Sequence, residues 1–152
     1  MSDVKMATVR AASRLAGPGR AICEVRGHHY ILDAPPLIEG PNEEVNPVEA
    51  MIAPLAACAV LFLEYLSRTM GVPLEEIRAE AEGDFDPRGV KGEGGEGADA
   101  ALAALRLTYR VTPAAGADRA GVDRLIEAFR ARCPVHRTLS KAVDIAEEVV
   151  WD

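Results

Sequence analysis

The sequence predicts a single α+β domain spanning residues 1–152, with strands in runs and one long buried helix. The chain of 152 residues is long enough for one domain with one hydrophobic core. Apolar residues make up 49% of it, which excludes a wholly disordered protein. Strand patterns cluster instead of alternating with helices, and this favours an α+β fold over a doubly wound parallel sheet.

The first 34 residues are predicted to form three strands. Apolar and polar residues alternate over 7–11 and again over 21–25, and the turn signal Gly17-Pro18-Gly19 lies between them, which predicts a hairpin. Gly27 then separates the second strand from a third at 28–33. Prolines and glycine indicate an irregular connection over 35–44.

A central helix is predicted over residues 47–70. Asn46 is a good N-cap, Pro47 suits the first helical position, and Glu49 can reach back to complete a capping box. Gly71, followed by Val-Pro, is a plausible end of the helix.

This helix is apolar on every face over residues 50–63, so other structure must enclose it. The apolar run is shorter than the roughly 20 residues of a membrane span. A second copy of the chain closing over the helix would bury it, which predicts a homodimer. Pro54 lies inside the helix and is expected to kink it.

The second half of the chain is predicted to contain three more strands and two helices. Residues 83–99 between two of the strands are rich in glycine and charge, which predicts a long loop; its acidic residues and spacing exclude a phosphate-binding loop. The predicted elements are strands at 77–82, 105–111 and 145–151 and helices at 118–132 and 134–142.

Charge and cysteine content narrow the class of function. The formal net charge of −7 argues against a nucleic-acid partner, which needs clustered Lys and Arg. No basic segment followed by an apolar one opens the sequence, so no signal peptide is expected. Three widely spaced cysteines are a poor disulfide framework and predict free thiols in a reducing, cytoplasmic setting.

Each cysteine has a structural and a chemical interpretation. Cys58, in the middle of the apolar helix, is either a small core residue or a reactive thiol. Cys133 precedes proline, so it should end one helix and cap the next, where backbone N–H groups and the helix dipole stabilise a thiolate. Alternatively its sulfur simply caps the helix and packs there. Cys23 alternates onto the apolar face of a strand and is expected to be structural.

Two other site chemistries find little support. Cys133 and His136 have a metal-ligand spacing, and His28-His29 lie elsewhere, but no second closely spaced pair is present, so no metal is expected. The sequence also lacks the Gly-x-Ser-x-Gly motif of many serine hydrolases.

Three segments, in order along nearly the whole chain, resemble the OsmC/Ohr family. They are His28-His29-Tyr30-Ile31-Leu32-Asp33-Ala34-Pro35, then Asn46-Pro47-Val48-Glu49 running into Leu55-Ala56-Ala57-Cys58, and finally Cys133-Pro134-Val135-His136 before the last strand. The resemblance implies the OsmC-like fold, with antiparallel sheets around a long buried central helix and two intertwined subunits.

The resemblance also implies a thiol-dependent peroxidase that reduces organic hydroperoxides, without a cofactor, under oxidative or osmotic stress. Cys58 would be the peroxidatic thiolate and Cys133 the resolving thiol, with an external thiol reductant to reopen their disulfide. Burial between apolar helices would favour small hydrophobic peroxides.

The resemblance is incomplete at the residues that activate the thiolate. The family's peroxidases use an Arg from the first strands, for which Arg20 is the first candidate and Arg14 the second, and a Glu directly after Asn-Pro. Here Val48 follows Asn-Pro, and the acid stands one residue later as Glu49. Glu49 and Cys58 point about 180° apart on a straight helix, so Glu49 is expected to act as a cap.

Sequence therefore leaves two functions open. A buried thiol without a cation has a raised pKa, which favours Cys133 over Cys58 as the reactive group unless an Arg or a histidine such as His29 or His136 lies beside Cys58. The alternative to the peroxidase is a non-catalytic protein that binds a small hydrophobic ligand in the dimer cleft.

Overall fold

The computed structural model describes residues 5–151 and confirms the α+β class, with two three-stranded sheets and one long helix. It divides into two compact units, residues 1–50 and 51–152. The prediction of a single domain stays a prediction. The elements are β1 Ala12–Gly17, β2 Arg20–Val25, β3 His28–Asp33, α1 Pro47–Met70, β4 Leu74–Phe85, α2 Pro87–Lys91, β5 Leu102–Pro113, α3 Arg119–Arg132, α4 Pro134–Leu139 and β6 Ile145–Trp151.

The first unit is built on an antiparallel sheet in the order β1-β2-β3. The predicted hairpin is present, but its first strand begins at Ala12, so the expectation of a strand at 7–11 is wrong. The reason is the tight turn at Pro18-Gly19, where Gly19 has φ +66° and Gly17 pairs with Arg20. Such a turn pairs the residues directly beside it, so β1 lies next to the turn. The alternation of apolar and polar residues further away, at 7–11, does not form a strand.

Helix α1 begins where the sequence predicts. Asn46 Oδ1 accepts hydrogen bonds from the backbone N–H groups of Val48 and Glu49, at 2.9 and 3.0 Å. Glu49 Oε2 in turn accepts from the Asn46 N–H at 2.9 Å, which completes the capping box. The helix is continuous through Pro54 to Met70.

Only one face of α1 is covered within this chain. Leu55, Ala59, Leu63 and Leu66 are buried, whereas Leu61 is 69% exposed and Met51, Tyr65 and Met70 are exposed as well. The residues that the structure describes, 5–151, therefore leave part of the apolar surface of α1 uncovered.

The sequence expectation of no membrane span is based on the apolar run 50–63. Helix α1 is longer than this run, with 24 residues. By length and composition alone, its 24 residues would suffice to cross a membrane. The buried face accounts for part of this apolar character, since it packs into the core of the second unit.

The second unit contains a sheet in the order β4-β5-β6. Strands β4 and β5 pair antiparallel, as expected, but β5 and β6 pair in parallel, which corrects the expectation of purely antiparallel sheets. The chain between β5 and β6 contains α3 and α4, and a crossover of this kind returns the next strand in the same direction.

The stretch 83–99, predicted to be a loop, is partly ordered. Strand β4 continues to Phe85, and α2 follows, with the Asp86 side chain accepting a hydrogen bond from the Arg88 N–H as its N-cap. The many glycines and charged residues of this stretch indicate a loop, but Asp86 followed by Pro87 is also a signal for the start of a helix. Helix α4 ends at Leu139, three residues earlier than predicted.

One hydrophobic core holds the second unit together. Side chains from α1, β5 and α3 share it, and Cys133 is fully buried in it. Phe129 lies at its centre, with ring centroids 5.8 Å from Tyr109 and 5.3 Å from His136. The two cysteines of interest and the buried polar residues beside them are therefore positioned by rigid elements.

Candidate functional site

The structure brings Cys58 and Cys133 together in the second unit. Cys58 lies midway along α1, and Cys133 joins α3 to α4. The two side chains are neighbours, and a hydrogen bond between them raises the pKa of the Cys58 thiol. Both cysteines are free, so the two neighbouring thiols are available to form a disulfide on oxidation.

The position of Cys133 follows from the proline after it. Pro134 excludes helical backbone at the preceding residue, and Cys133 accordingly has φ −70° and ψ +119°, which ends α3 and starts α4. Its sulfur accepts a hydrogen bond from the His136 N–H at 3.5 Å, the capping contact that the sequence predicts.

The electrostatic surroundings of Cys58 do not favour its thiolate. Burial raises the pKa of the Cys58 thiol above its ordinary value, and the neighbouring Cys133 thiol raises this pKa further. Among the described residues of the second unit, no cation opposes that shift. These surroundings therefore disfavour ionisation of the Cys58 thiol.

His136 connects Cys133 to a polar cluster centred on Glu147, which is largely buried except for Arg130. Glu147 on β6 accepts hydrogen bonds from the Tyr109 hydroxyl and, at 2.9 Å, from Arg130 Nε. His136 Nε2 lies 3.1 Å from the second carboxylate oxygen of Glu147. One carboxylate therefore joins β5, α3, α4 and β6.

The cluster has a definite charge state. Burial alone would raise the pKa of Glu147, but the hydrogen bonds from Tyr109, Arg130 and His136 outweigh it and lower this pKa below its usual range. Burial, together with the hydrogen bond to Glu147, raises the pKa of Tyr109. At neutral pH the cluster contains a carboxylate and a neutral phenol.

Arg20, the first candidate for activating Cys58, lies in the first unit and is bound to carboxylates there. Its guanidinium donates to both oxygens of Asp33 at 2.7 Å and to Glu43 at 2.7 Å. Asp33 is 1% exposed, and it also accepts the backbone N–H groups of Glu43 and Glu44. The Arg20 hydrogen bonds, helped by those backbone donors, lower the pKa of Asp33 to about 2.

The other candidates of the first unit have structural contacts. Glu49 completes the capping box of α1, as expected from its position. The His29 ring lies 3.5 Å from Glu24, and both side chains are exposed. Cys23 is buried and accepts a hydrogen bond from Ser13 Oγ at 3.1 Å. Among residues 5–151, no group of three or more potential ligands could hold a metal ion.

Sequence reasoning named His136 but missed its partner Glu147. The signal was the alternation within β6, which places Glu147 on the same side of the strand as Ile145 and Val149. A carboxylate on the core face of a strand indicates a buried polar partner set. Those partners come from remote segments, so spacing could not identify them.

A shallow apolar groove opens next to Cys133. It has a volume of about 370 Å³ and is bordered by Met51 and Pro54 of α1 and by α4, all within the second unit. Its lining residues are Met51, Pro54, Pro134, Val135, Thr138 and Leu139. A small hydrophobic molecule in this groove would lie beside Pro134, the residue that follows Cys133.

Comparison with known proteins places this site in a family. The family model described as "OsmC-like protein" matches residues 40–148, which include Cys58, Cys133 and the Glu147 cluster. No curated protein matches the chain in sequence.

Solved structures of this family share the fold. An OsmC-like protein from Mycoplasma pneumoniae superposes with a TM-score of 0.78 at 15% identity, covering 95% of this chain and 97% of that one. An organic hydroperoxide resistance protein from Elizabethkingia anophelis gives 0.73 at 16% identity, covering 98% and 99%. The organic hydroperoxide resistance protein OsmC of Legionella pneumophila gives 0.69 at 17% identity, covering 95% and 98%. At these identities the likeness concerns the fold.

Proposed function

The chain belongs to the OsmC-like protein family, and we propose that it is a thiol-dependent peroxidase that reduces organic hydroperoxides through Cys58 and Cys133. The contact between these two thiols is the observation that carries the proposal. Two of the similar structures are of organic hydroperoxide resistance proteins, which points to the same substrate class.

The proposed cycle needs only the two cysteines and an external reductant. The Cys58 thiolate attacks a peroxide oxygen, the O–O bond breaks, and an alcohol leaves after taking up a proton. The resulting sulfenic acid is attacked by Cys133, which forms the S–S bond and releases water. A thiol reductant then returns two electrons and restores both thiols.

The location of the thiols supports a hydrophobic substrate. Cys133 is fully buried and Cys58 is partly buried among apolar side chains. The apolar groove beside Pro134 offers room for an alkyl or aryl group, and apolar burial of about 25 cal/mol per Å² would favour it over hydrogen peroxide.

A homodimer in the cytoplasm is part of the same proposal. The exposed apolar face of α1, with Leu61 and Tyr65, would be covered by a second copy. Free cysteines suit a reducing compartment, and oxidative or osmotic stress is the setting in which such a protein would act. Light scattering at micromolar concentration should give twice the mass of one chain; a monomer would contradict this part.

A non-catalytic binding protein is the second candidate, and two observations favour it. Burial raises the pKa of Cys58, and the Arg20 guanidinium is held by Asp33 and Glu43. In this alternative the dimer cleft holds a small hydrophobic ligand, and the thiols do not turn over.

Thiol titration after one equivalent of cumene hydroperoxide distinguishes the two candidates. The peroxidase loses two thiols per chain within seconds, and Cys58→Ser abolishes this loss. Cys23→Ser is the matched control, because Cys23 lies on β2 and takes no part in the cycle; it should still lose two thiols. If the thiols of the wild-type protein remain unchanged over minutes, the binding protein is the better conclusion.

A further inference from the structure

The buried imidazole of His136 uses only one of its two ring nitrogens. Nε2 lies 3.1 Å from Glu147, whereas Nδ1 is buried and has no hydrogen-bond partner among the described residues. The residue is only 7% exposed, so bulk water does not satisfy this atom. A buried polar atom without a partner is rare in folded proteins and indicates either strain or a chemical role.

Glu147 determines which nitrogen carries the proton. Its carboxylate accepts from Tyr109 and Arg130 on one oxygen, so it is ionised, and an ionised carboxylate has no donor of its own. The bond to its other oxygen therefore requires a proton on His136 Nε2. The neutral ring then presents a lone pair at Nδ1.

This lone pair belongs to the same helical turn as the resolving sulfur. Cys133 caps α4 and His136 is the third residue of that helix, with its backbone N–H bonded to the Cys133 sulfur at 3.5 Å. Side chains three residues apart on a helix have Cβ atoms about 5–6 Å from each other. Cys133 is in turn the hydrogen-bond neighbour of Cys58, so it lies between the His136 backbone and the second thiol. In the reduced pair Nδ1 makes no hydrogen bond to Cys133, so its lone pair is unused.

We propose that His136 Nδ1 accepts the proton of the Cys133 thiol when Cys133 closes the disulfide with Cys58, and that Glu147 positions the ring for this role. The inference rests on the proposed peroxidase cycle and assigns its second step. Cys133 loses its proton to Nδ1, its thiolate attacks the sulfenic sulfur of Cys58, and the S–O bond breaks as the S–S bond forms. The departing hydroxide takes the proton back from Nδ1 and leaves as water.

The charged groups around the ring are compatible with this role. Glu147 on β6 and Arg130 on α3 keep fixed charges, and Tyr109 on β5 stays protonated. Arg137, on the same helix as His136, donates to the backbone carbonyl of Ala131.

The substitution His136→Gln separates proton transfer from packing. The glutamine amide can still donate to Glu147, but it has no basic nitrogen. The rate of Cys58–Cys133 disulfide closure is measured in the full-length protein by acid quench and maleimide labelling after two oxidants, cumene hydroperoxide and diamide. Diamide activates a thiol for displacement by a second thiol, so this arm does not depend on peroxidase activity.

We expect closure about 100-fold slower in the variant at pH 7, in line with the usual contribution of general base catalysis. The wild-type rate should level off with rising pH, as expected for catalysis by a general base, whereas the rate of the variant should keep rising about tenfold per pH unit. Equal rates and equal pH profiles in a folded variant would overturn the inference.

The other possible results of the experiment also test this inference. In one outcome, the wild-type protein does not react with the hydroperoxide, but diamide produces the Cys58–Cys133 disulfide at a rate that depends on His136. The peroxidase proposal then fails and this inference stands. If diamide produces no Cys58–Cys133 disulfide in the wild-type protein, both fail. If the variant does not fold, the wild-type profile decides, because a rate that rises about tenfold per pH unit throughout pH 6–9 contradicts proton transfer to an imidazole.

Discussion

Replacing Glu147 by alanine tests whether the polar cluster centred on Glu147 stabilises the second unit. The change leaves three donors without their acceptor: the Tyr109 hydroxyl, Arg130 Nε and His136 Nε2. Tyr109 is fully buried, so water cannot replace the lost carboxylate there. One unsatisfied buried donor costs about 1–3 kcal/mol. Arg130 is 42% exposed, so water can solvate its charge when the carboxylate is removed, and the loss of this ion pair adds little.

We therefore expect Glu147→Ala to lower the free energy of unfolding by about 1–3 kcal/mol. For a chain of this size, that corresponds to a fall in melting temperature of about 2–12 °C. The assay is urea unfolding followed by circular dichroism, at one fixed protein concentration because association would add to stability.

The neighbouring glutamate provides the matched control. Glu148 lies on the same strand, but its side chain faces solvent, so Glu148→Ala should change stability by no more than about 0.5 kcal/mol. If the two variants unfold within 0.5 kcal/mol of each other, Glu147 does not hold the cluster together, and the argument for a fixed His136 tautomer loses its basis.

The lowered pKa of Glu147 also predicts an acid dependence of stability. Because the folded-state pKa lies below the unfolded one, the contribution of Glu147 is fully present above the unfolded pKa, about 4.3. It is lost as the pH falls through the folded pKa. The stability difference between the wild-type protein and Glu147→Ala should therefore be constant from pH 7 to about pH 5 and shrink below pH 4; a difference independent of pH would contradict the assignment.

Two further predictions concern the first unit and the start of α1. Asp33→Asn should destabilise the connection between β3 and α1 more than Glu43→Gln does, because Asp33 is buried and accepts both Arg20 and the backbone N–H groups of Glu43 and Glu44. Limited proteolysis of the two variants measures this, and equal cleavage rates would contradict it. Asn46→Ala should cost about 1 kcal/mol in urea unfolding, because Asn46 caps two N–H groups, and Glu49→Ala should cost less; a larger loss at Glu49 would show that its carboxylate does more than cap.

Local signals predicted the parts of the fold that local physics controls. Asn46, Pro47 and Gly71 define the limits of α1 through capping and backbone freedom, and these act within a few residues. Cys133-Pro134 likewise defines the junction of α3 and α4, because the restriction before proline is local. The resemblance of the cysteine segments to one family then placed both thiols in a single site.

The features that sequence did not predict depend on distant residues. The direction of β6 relative to β5 depends on the crossover through α3 and α4, which periodicity within one strand cannot report. Glu147 becomes a buried carboxylate because Tyr109, Arg130 and His136 converge on it from three other elements. The hydrogen bonds of Arg20 to Asp33 and Glu43 likewise depend on folding of the connection after β3.

The central claim is that the Cys58 and Cys133 thiols form a redox pair, and peptide mass spectrometry tests it most directly. The protein is treated with one equivalent of cumene hydroperoxide, blocked with iodoacetamide and digested without reduction. The account predicts a cross-linked species that joins the Cys58 peptide to the Cys133 peptide and disappears on reduction. Recovery of both peptides only as carbamidomethylated thiols would contradict it.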